Sequence, residues 1–485
     1  MILLICILGL IAGALAVAPG AVTITLCCVA GACGGGWILY GFISRALPVR
    51  LTWMLASTLL IGYCAETLFN EVFSALAGQE VLSGIGVDTN WVAYALMLTM
   101  LACVVLLAAG FAEPPLITEQ HVVAMSWKQE RFLWVCLALV AVSYFRGNYT
   151  LGGAVVEAGS KKADVFGSLV SDILPILAPL VTIGILQASG RRRLRFIALG
   201  LLTLLAIVLP SGRRGMIFLL PVICIAGALL SGRQWHLNRH MSWGKKVFLG
   251  LASIAILVFS SIFFYGLREA NWQMSEGTHS IGQLVEMAAA TTFRSPGEIV
   301  DELGENTPDR AAFEVRYLSW LGRGGNTPSP LLGQDFLLGL EMAVPDKIYS
   351  VVGANKDAAR SIGTEEGLAN EHFGLPDDDD ANSILTGGII DFGVAGVLAY
   401  PLLVCFLTRL VLRLASEVLN SEGQIVLILS AMSLYMSVEV EVGDYVMGLR
   451  NMAILAVVWG IVYWVPKLSG RHHEVPGYRQ EFAGD

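Results

Sequence analysis

Apolar residues in this chain gather into runs close to 20 long, broken by short polar or basic stretches, with little two- or three-residue alternation. A helix needs about 20 consecutive apolar residues to cross the hydrocarbon core of a bilayer, so the runs predict membrane-spanning helices. Twelve spans are expected, at about 2–18, 21–43, 51–70, 91–111, 131–146, 165–187, 194–210, 215–231, 247–266, 384–408, 424–438 and 451–466. The first lacks the basic leader of a secretory signal. Pro19 would also directly follow the cleavage-like Ala16 and Ala18, so this run is read as a helix. The fold class is all-α, a polytopic bundle.

Composition agrees. The 485 residues are 55% apolar and 14% charged, whereas a soluble domain has about 25% charged residues. All nine cysteines fall inside apolar runs, where a thiol behaves as a small hydrophobe. That excludes a disulfide framework or a thiolate metal site. Gly34-Gly35-Gly36 has no lysine after it and lies within a span, so it reads as a packing feature.

Charge sets the orientation. With the N-terminus inside, cytoplasmic segments hold 17 of the 31 basic residues, including Arg45, Arg50, Lys128, Arg191, Arg192, Arg193, Arg409 and Arg413. Short outer loops hold 6, and 8 lie in one long outer segment, which the positive-inside rule does not count. Both termini are therefore expected in the cytoplasm. The chain divides into nine spans within 1–266, an outer loop at 267–383, three spans within 384–466 and a tail at 467–485.

The long segment carries 20 acidic and 8 basic residues. Its local signals predict helices. Ser295-Pro296-Gly297-Glu298 has capping-box spacing, and Thr307-Pro308-Asp309-Arg310 precedes Phe313, Tyr317, Trp320 and Leu321 on one helical face. Stretch 331–344 is apolar except for Gln334, Asp335 and Glu341, as in a segment lying at the interface or dipping into it. The segment reads as a helical cap.

Chemistry resides in the polar residues that interrupt this pattern. Pro210-Ser211-Gly212-Arg213-Arg214-Gly215 falls between two spans on the outer side. Two guanidinium groups there suit a bidentate contact with phosphate, and the flanking glycines allow close approach. Snorkelling to lipid headgroups is the plainer alternative. Arg146 and Arg268 could join them, or serve as a headgroup contact and as an ion pair with Glu269. Arg450, near Glu439, Glu441 and Asp444, reads as part of an internal ion-pair network. Candidate proton-transfer groups are His279, Asp335, Glu371, His372 and Asp391. Among them His372 has the pKa suited to a general base near neutrality. Asp391 sits in an apolar run and needs a partner, for which an arginine of the cluster is expected. Glu66 and Glu71, in or near the third span, read as structural. Asp377 to Asp380 reads as a solvated acidic run, with attraction of a divalent cation as the less common alternative, and the chain has no His-Glu-x-x-His or paired Cys-x-x-Cys.

Together, the Ser-Gly-Arg-Arg-Gly turn, the large outer loop before the tenth span and three short motifs resemble the bacterial O-antigen polymerase (Wzy-type) family. The motifs are Leu332-Gly333-Gln334-Asp335-Phe336, Val344-Pro345-Asp346-Lys347 and, after Asn382-Ser383, Asp391-Phe392-Gly393-Val394-Ala395-Gly396-Val397. Family members often have a basic residue after the loop proline, where this chain has Asp346.

The resemblance implies a glycosyltransferase of the bacterial inner membrane with a periplasmic loop and active site. Donor and acceptor would both be undecaprenyl-diphosphate-linked repeat units, joined during O-antigen or exopolysaccharide synthesis without a cofactor or metal. Arg213 and Arg214, assisted by Arg268 and Arg146, would hold the diphosphate. His372, Asp335 or Asp391 would activate or orient the acceptor hydroxyl. A flippase, a chain-length regulator and membrane lipid are the expected partners, and nucleic acid is not. An O-antigen ligase and a lipid-linked glycan transporter remain the alternative readings.

Overall fold

The computed structural model describes residues 1–68, 71, 88–118, 121, 125–145, 165–231, 313–322, 330–344, 365–374, 382–438 and 440–468. Every regular element among them is helical. In chain order they are α1 (Ile2–Val17), α2 (Ala21–Ile43), α3 (Leu51–Leu59, prolonged by a π turn at Leu60–Ala65), α4 (Thr89–Ala109), α5 (Trp127–Phe145), α6 (Val165–Gln187) and α7 (Gly190–Leu230). Then follow α8 (Phe313–Leu321), α9 (Gln334–Ala343), α10 (Glu365–Phe373), α11 (Ile384–Phe392), α12 (Val394–Val418), α13 (Ser421–Tyr435) and α14 (Val442–Leu468).

Among the described residues, five helices are long and apolar enough to cross a membrane: Ala21–Ile43, Leu51–Leu68, Thr89–Ala109, Val394–Val418 and Val442–Trp464. This is a membrane protein built as a helical bundle. Leu3, Leu10, Val22, Phe406 and Val457 point outward, as a lipid-facing surface requires. Small residues let the helices approach. A Cβ on Gly35 would stand 2.9 Å from the Ser57 carbonyl of α3, and Ser57 donates to the Gly35 carbonyl at 2.9 Å. The glycine triplet is thus a packing feature at Gly34 and Gly35, while Gly36 faces open space.

Side-chain contacts gather the basic segments at one end of the bundle. Glu113, beyond α4, accepts from the backbone N–H of Leu51 at 2.9 Å and Thr52 at 3.0 Å, capping α3. The same carboxylate pairs with Arg409 of α12 at 2.9 Å. Arg192 of α7 pairs with Glu130 of α5 at 3.5 Å, and Lys128 lies 4.0 Å from the ring centre of Tyr463 in α14. Loops that the charge pattern puts on one side therefore meet.

Two expectations change. Residues 190–230 are helical throughout, and a straight helix of that length would reach about 60 Å. Yet Gln187, three residues before α7, donates to the carbonyl of Leu230 at the far end at 3.2 Å. The element therefore doubles back. The spans expected at 194–210 and 215–231 both fall within this one element.

The second change is a correction. Run 384–408 is not a single span. Gly393 adopts φ 61°, ψ −146°, a region open essentially to glycine, and α11 folds back along α12. A Cβ on Gly388 would stand 2.6 Å from the Gly396 carbonyl oxygen, although eight residues of straight helix would separate the two by about 12 Å. Residues Ile384 to Asp391 are all buried. The candidate span begins at Val394, and α11 is a separate short helix folded back against it. Hydropathy alone could not show this, because the reversal is itself apolar.

The long loop also departs from a cap that merely covers the bundle. Of its described helices, α8 packs against α4 and α11, and α9 packs against α11 and α14. A Cβ on Gly339 of α9 would lie 2.6 Å from the Cα of Gly443 at the start of α14. The start signals at 295–298 and 307–310 and the span at 247–266 lie outside the described residues.

Candidate functional site

Helix α9 is held at both ends. Its first turn follows Leu332 and Gly333, both at positive φ (54° and 97°), and there its free N–H groups need acceptors. Asp391 of α11 supplies them. Its Oδ1 accepts from the Asp335 N–H at 3.0 Å and its Oδ2 from the Phe336 N–H at 3.1 Å. The Tyr400 hydroxyl donates to the same carboxylate, and the Leu332 N–H donates to the Asp391 carbonyl at 2.8 Å. At the other end Arg450 of α14 donates to the Ala343 carbonyl at 3.0 Å and to the Asn451 side chain at 2.9 Å. A carboxylate at the N-terminus and a guanidinium at the C-terminus both complement the helix dipole.

Asp391 is buried as expected, and among the described residues its partners are two backbone amides and a phenol; the side chains of the arginines expected beside it lie outside the described residues. Arg450, expected in an internal ion-pair network, contacts the carbonyl end of α9. Replacing Arg450 with Met should lower stability by about 1.5–3 kcal/mol, the worth of a charge-assisted hydrogen bond. Thermal unfolding in detergent, with proteolysis within 344–364 as the local readout, checks this.

A similar device positions α10. Glu441, just before α14, accepts from the Glu365 N–H at 3.4 Å. Helix α11 starts with a capping box: the Ser383 hydroxyl accepts from the Leu385 N–H at 3.1 Å, and the Thr386 hydroxyl accepts from the Ser383 N–H at 2.8 Å. Tyr63 of the π turn lies 2.6 Å from the Ser383 hydroxyl. Glu71 accepts from Thr25 at 3.0 Å, in line with a structural role.

One carboxylate has no such task. Asp335 is 2% exposed, and among the described residues its Oδ2 meets no hydrogen-bond donor. A Cβ on Gly387 would stand 2.5 Å from that oxygen, 2.6 Å from Val442 Cγ2 and 3.1 Å from Glu365 Oε2. Glu365 is 1% exposed. Two buried acids from different loop helices thus pack closely against α11 at Gly387, where no side chain would fit. Burial, with the Asp391 and Glu441 carboxylates close by, holds the Asp335 carboxyl well above the usual carboxylate range. Burial also raises Glu441, against the opposing hydrogen bonds from the Glu365 N–H and Asn382. A carboxyl moved toward neutrality can take or give a proton at physiological pH.

The structure therefore brings Asp335 and Asp391 together, in different roles. His372 is exposed near the end of α10, two turns beyond Glu365, and Glu371 beside it is exposed too. The backbone of Arg213 and Arg214 lies in α7; their side chains, and all of Arg146, Arg268 and His279, lie outside the described residues. The sequence reading missed Glu365, Tyr400 and Gly387, and named Glu441 only as a neighbour of Arg450. Only Gly387-Gly388 inside an apolar run signalled a close approach there. No protein-family model, curated protein or solved structure matches the chain.

Proposed function

We propose that the protein is a membrane glycosyltransferase that polymerises undecaprenyl-diphosphate-linked oligosaccharide repeat units on the periplasmic face of a bacterial inner membrane. The reading rests on the sequence motifs and the charge pattern. The observation that carries it furthest is the buried acid site formed by Asp335 and Glu365 of the long loop, held on the bundle by α11 and α14. In this mechanism Asp335 takes the proton of the acceptor hydroxyl. The oxygen attacks the donor's anomeric carbon, and the bond from that carbon to the diphosphate breaks with its electron pair leaving on phosphate. Arg213 and Arg214, with Arg268 and Arg146, stabilise that charge. Loss of either Arg213 or Arg214 should cost on the order of 10²–10³ in rate, as for other preorganised donors to a developing anion.

A lipid-linked glycan transporter is the second reading, favoured by the break at Gly393, since transporters use discontinuous helices near their substrates. Deleting the gene and sizing the remaining lipid-linked glycans separates the readings. A polymerase leaves single repeat units on the outer face of the membrane. Full-length chains stranded on the lipid carrier would indicate a ligase, and units trapped inside would indicate a transporter.

A further inference from the structure

Away from the acid site, at the basic end of the bundle, α12, α13 and α14 border an open groove of about 850 Å³. Pockets that hold a small molecule span about 300–1,000 Å³. The lining includes buried Leu427, Met452 and Trp459 and exposed Leu414, Val418 and Val457. Its polar groups gather at one end, where Asn420, Tyr463 and Trp464 stand. There the Asn420 side chain accepts from the Trp459 indole at 3.0 Å and from the Gly423 N–H at 3.2 Å. Lys128 of α5 reaches the same end, with its Nζ 4.0 Å from the ring centre of Tyr463.

We propose that this groove holds one acyl chain of an anionic phospholipid, with the lipid phosphate at the Lys128 end. Length is the first argument. From Met452 to Trp464 the helix rises about 18 Å, close to one leaflet of a hydrocarbon core about 30 Å thick. Polarity is the second. A groove that is apolar along its length and carries Tyr and Trp at one end has the layout of a lipid, because those rings settle at headgroup depth. Charge is the third. An ammonium over a ring face keeps N–H donors for phosphate, and basic pockets between spans recognise anionic headgroups. Of the acids nearby, Glu422 accepts from Asn420 at 3.4 Å and Glu130 is paired with Arg192. Glu417 stands on the exposed face of α12, one turn from the exposed Arg413. Apolar contact alone gives a bound lipid no preference over bulk lipid, whose tails are as apolar as leucine. Selection therefore comes from the headgroup and from the fit of the chain.

The test uses the full-length protein in phosphatidylcholine liposomes with a trace of phosphatidylglycerol carrying a photoactivatable diazirine on one acyl chain. Label should concentrate on the peptides of α12 and α14 that line the groove, and added unlabelled phosphatidylglycerol should remove it despite the excess of phosphatidylcholine. Lys128→Gln should weaken this competition about five-fold, the worth of one lysine near an anionic surface. Gly460→Leu fills the groove. Nothing lies within 4 Å of a Cβ on Gly460, so the variant should melt like the parent and lose most of the groove label. Ala453→Leu, at another exposed lining position, should do the same and serves if Gly460→Leu does not fold. Label at the outward-facing Phe406 should stay constant throughout. Equal labelling by a phosphatidylcholine probe would reduce the groove to ordinary lipid-facing surface and overturn the proposal. So would groove label that persists in both filling variants, or crosslinks at these peptides to a second copy of the chain.

Discussion

Asp391→Ala should be the most destabilising single change at this end of the bundle, at about 3–5 kcal/mol. The substitution removes the acceptor for the Asp335 and Phe336 amides and for the Tyr400 hydroxyl. Each buried donor left unmet costs roughly 1–3 kcal/mol, and the methyl group cannot fill the lost volume. The expected result is a large drop in the unfolding temperature of the detergent-purified protein, with early protease cutting around α9. Asp335→Asn provides the contrast. It replaces an acid that burial already disfavours in its charged form, so stability should hold or rise slightly while activity falls. Two buried aspartates 56 positions apart would then separate cleanly, one lost through folding and the other through chemistry. An Asp391→Ala protein that unfolds at the wild-type temperature would mean that the latch contributes nothing.

The second large effect is steric. A Cβ on Gly396 would overlap the Gly388 carbonyl, and neither partner is a side chain that can rotate away. Overpacking typically costs 1–3 kcal/mol when side chains can adjust. Here a backbone must move, so Gly396→Leu should cost about 3 kcal/mol or more and should part α11 from α12. Gly36→Ala is the control, since nothing lies within 4 Å of the Cβ it adds. In a helix interior alanine gains up to about 1 kcal/mol over glycine. A thermal melt of both variants and the parent decides the matter, and equal losses would count against the close approach.

The helical class and the membrane were legible in the sequence because both follow from local composition, and helix ends such as those of α1, α2 and α6 fell where the apolar runs stop. The reversal at Gly393 was not legible. Its signal is one backbone dihedral pair inside a run whose hydropathy never dips. At the site, Asp335 and Asp391 stood out as charges among apolar neighbours, and their burial follows from that. Their division of labour does not. It depends on which backbone amides lie opposite, a matter of tertiary register. Glu365 could not be singled out at all, since it opens an ordinary polar helix and meets Asp335 only across 30 residues of chain and the face of α11.

The folded-back helix also constrains how the protein is made. Nine residues give about 13 Å of helix, less than half the hydrocarbon thickness, so α11 cannot be threaded across a membrane as a segment in its own right. It must travel with the loop before it and enter the bundle sideways, once its berth exists. That berth includes Tyr63 from α3, encoded early, and α12, encoded after it, while α9 packs on α14, encoded last. Synthesis must therefore be complete, or nearly so, before the acid pair comes together, and a chain truncated after α12 should insert its spans yet remain without a site.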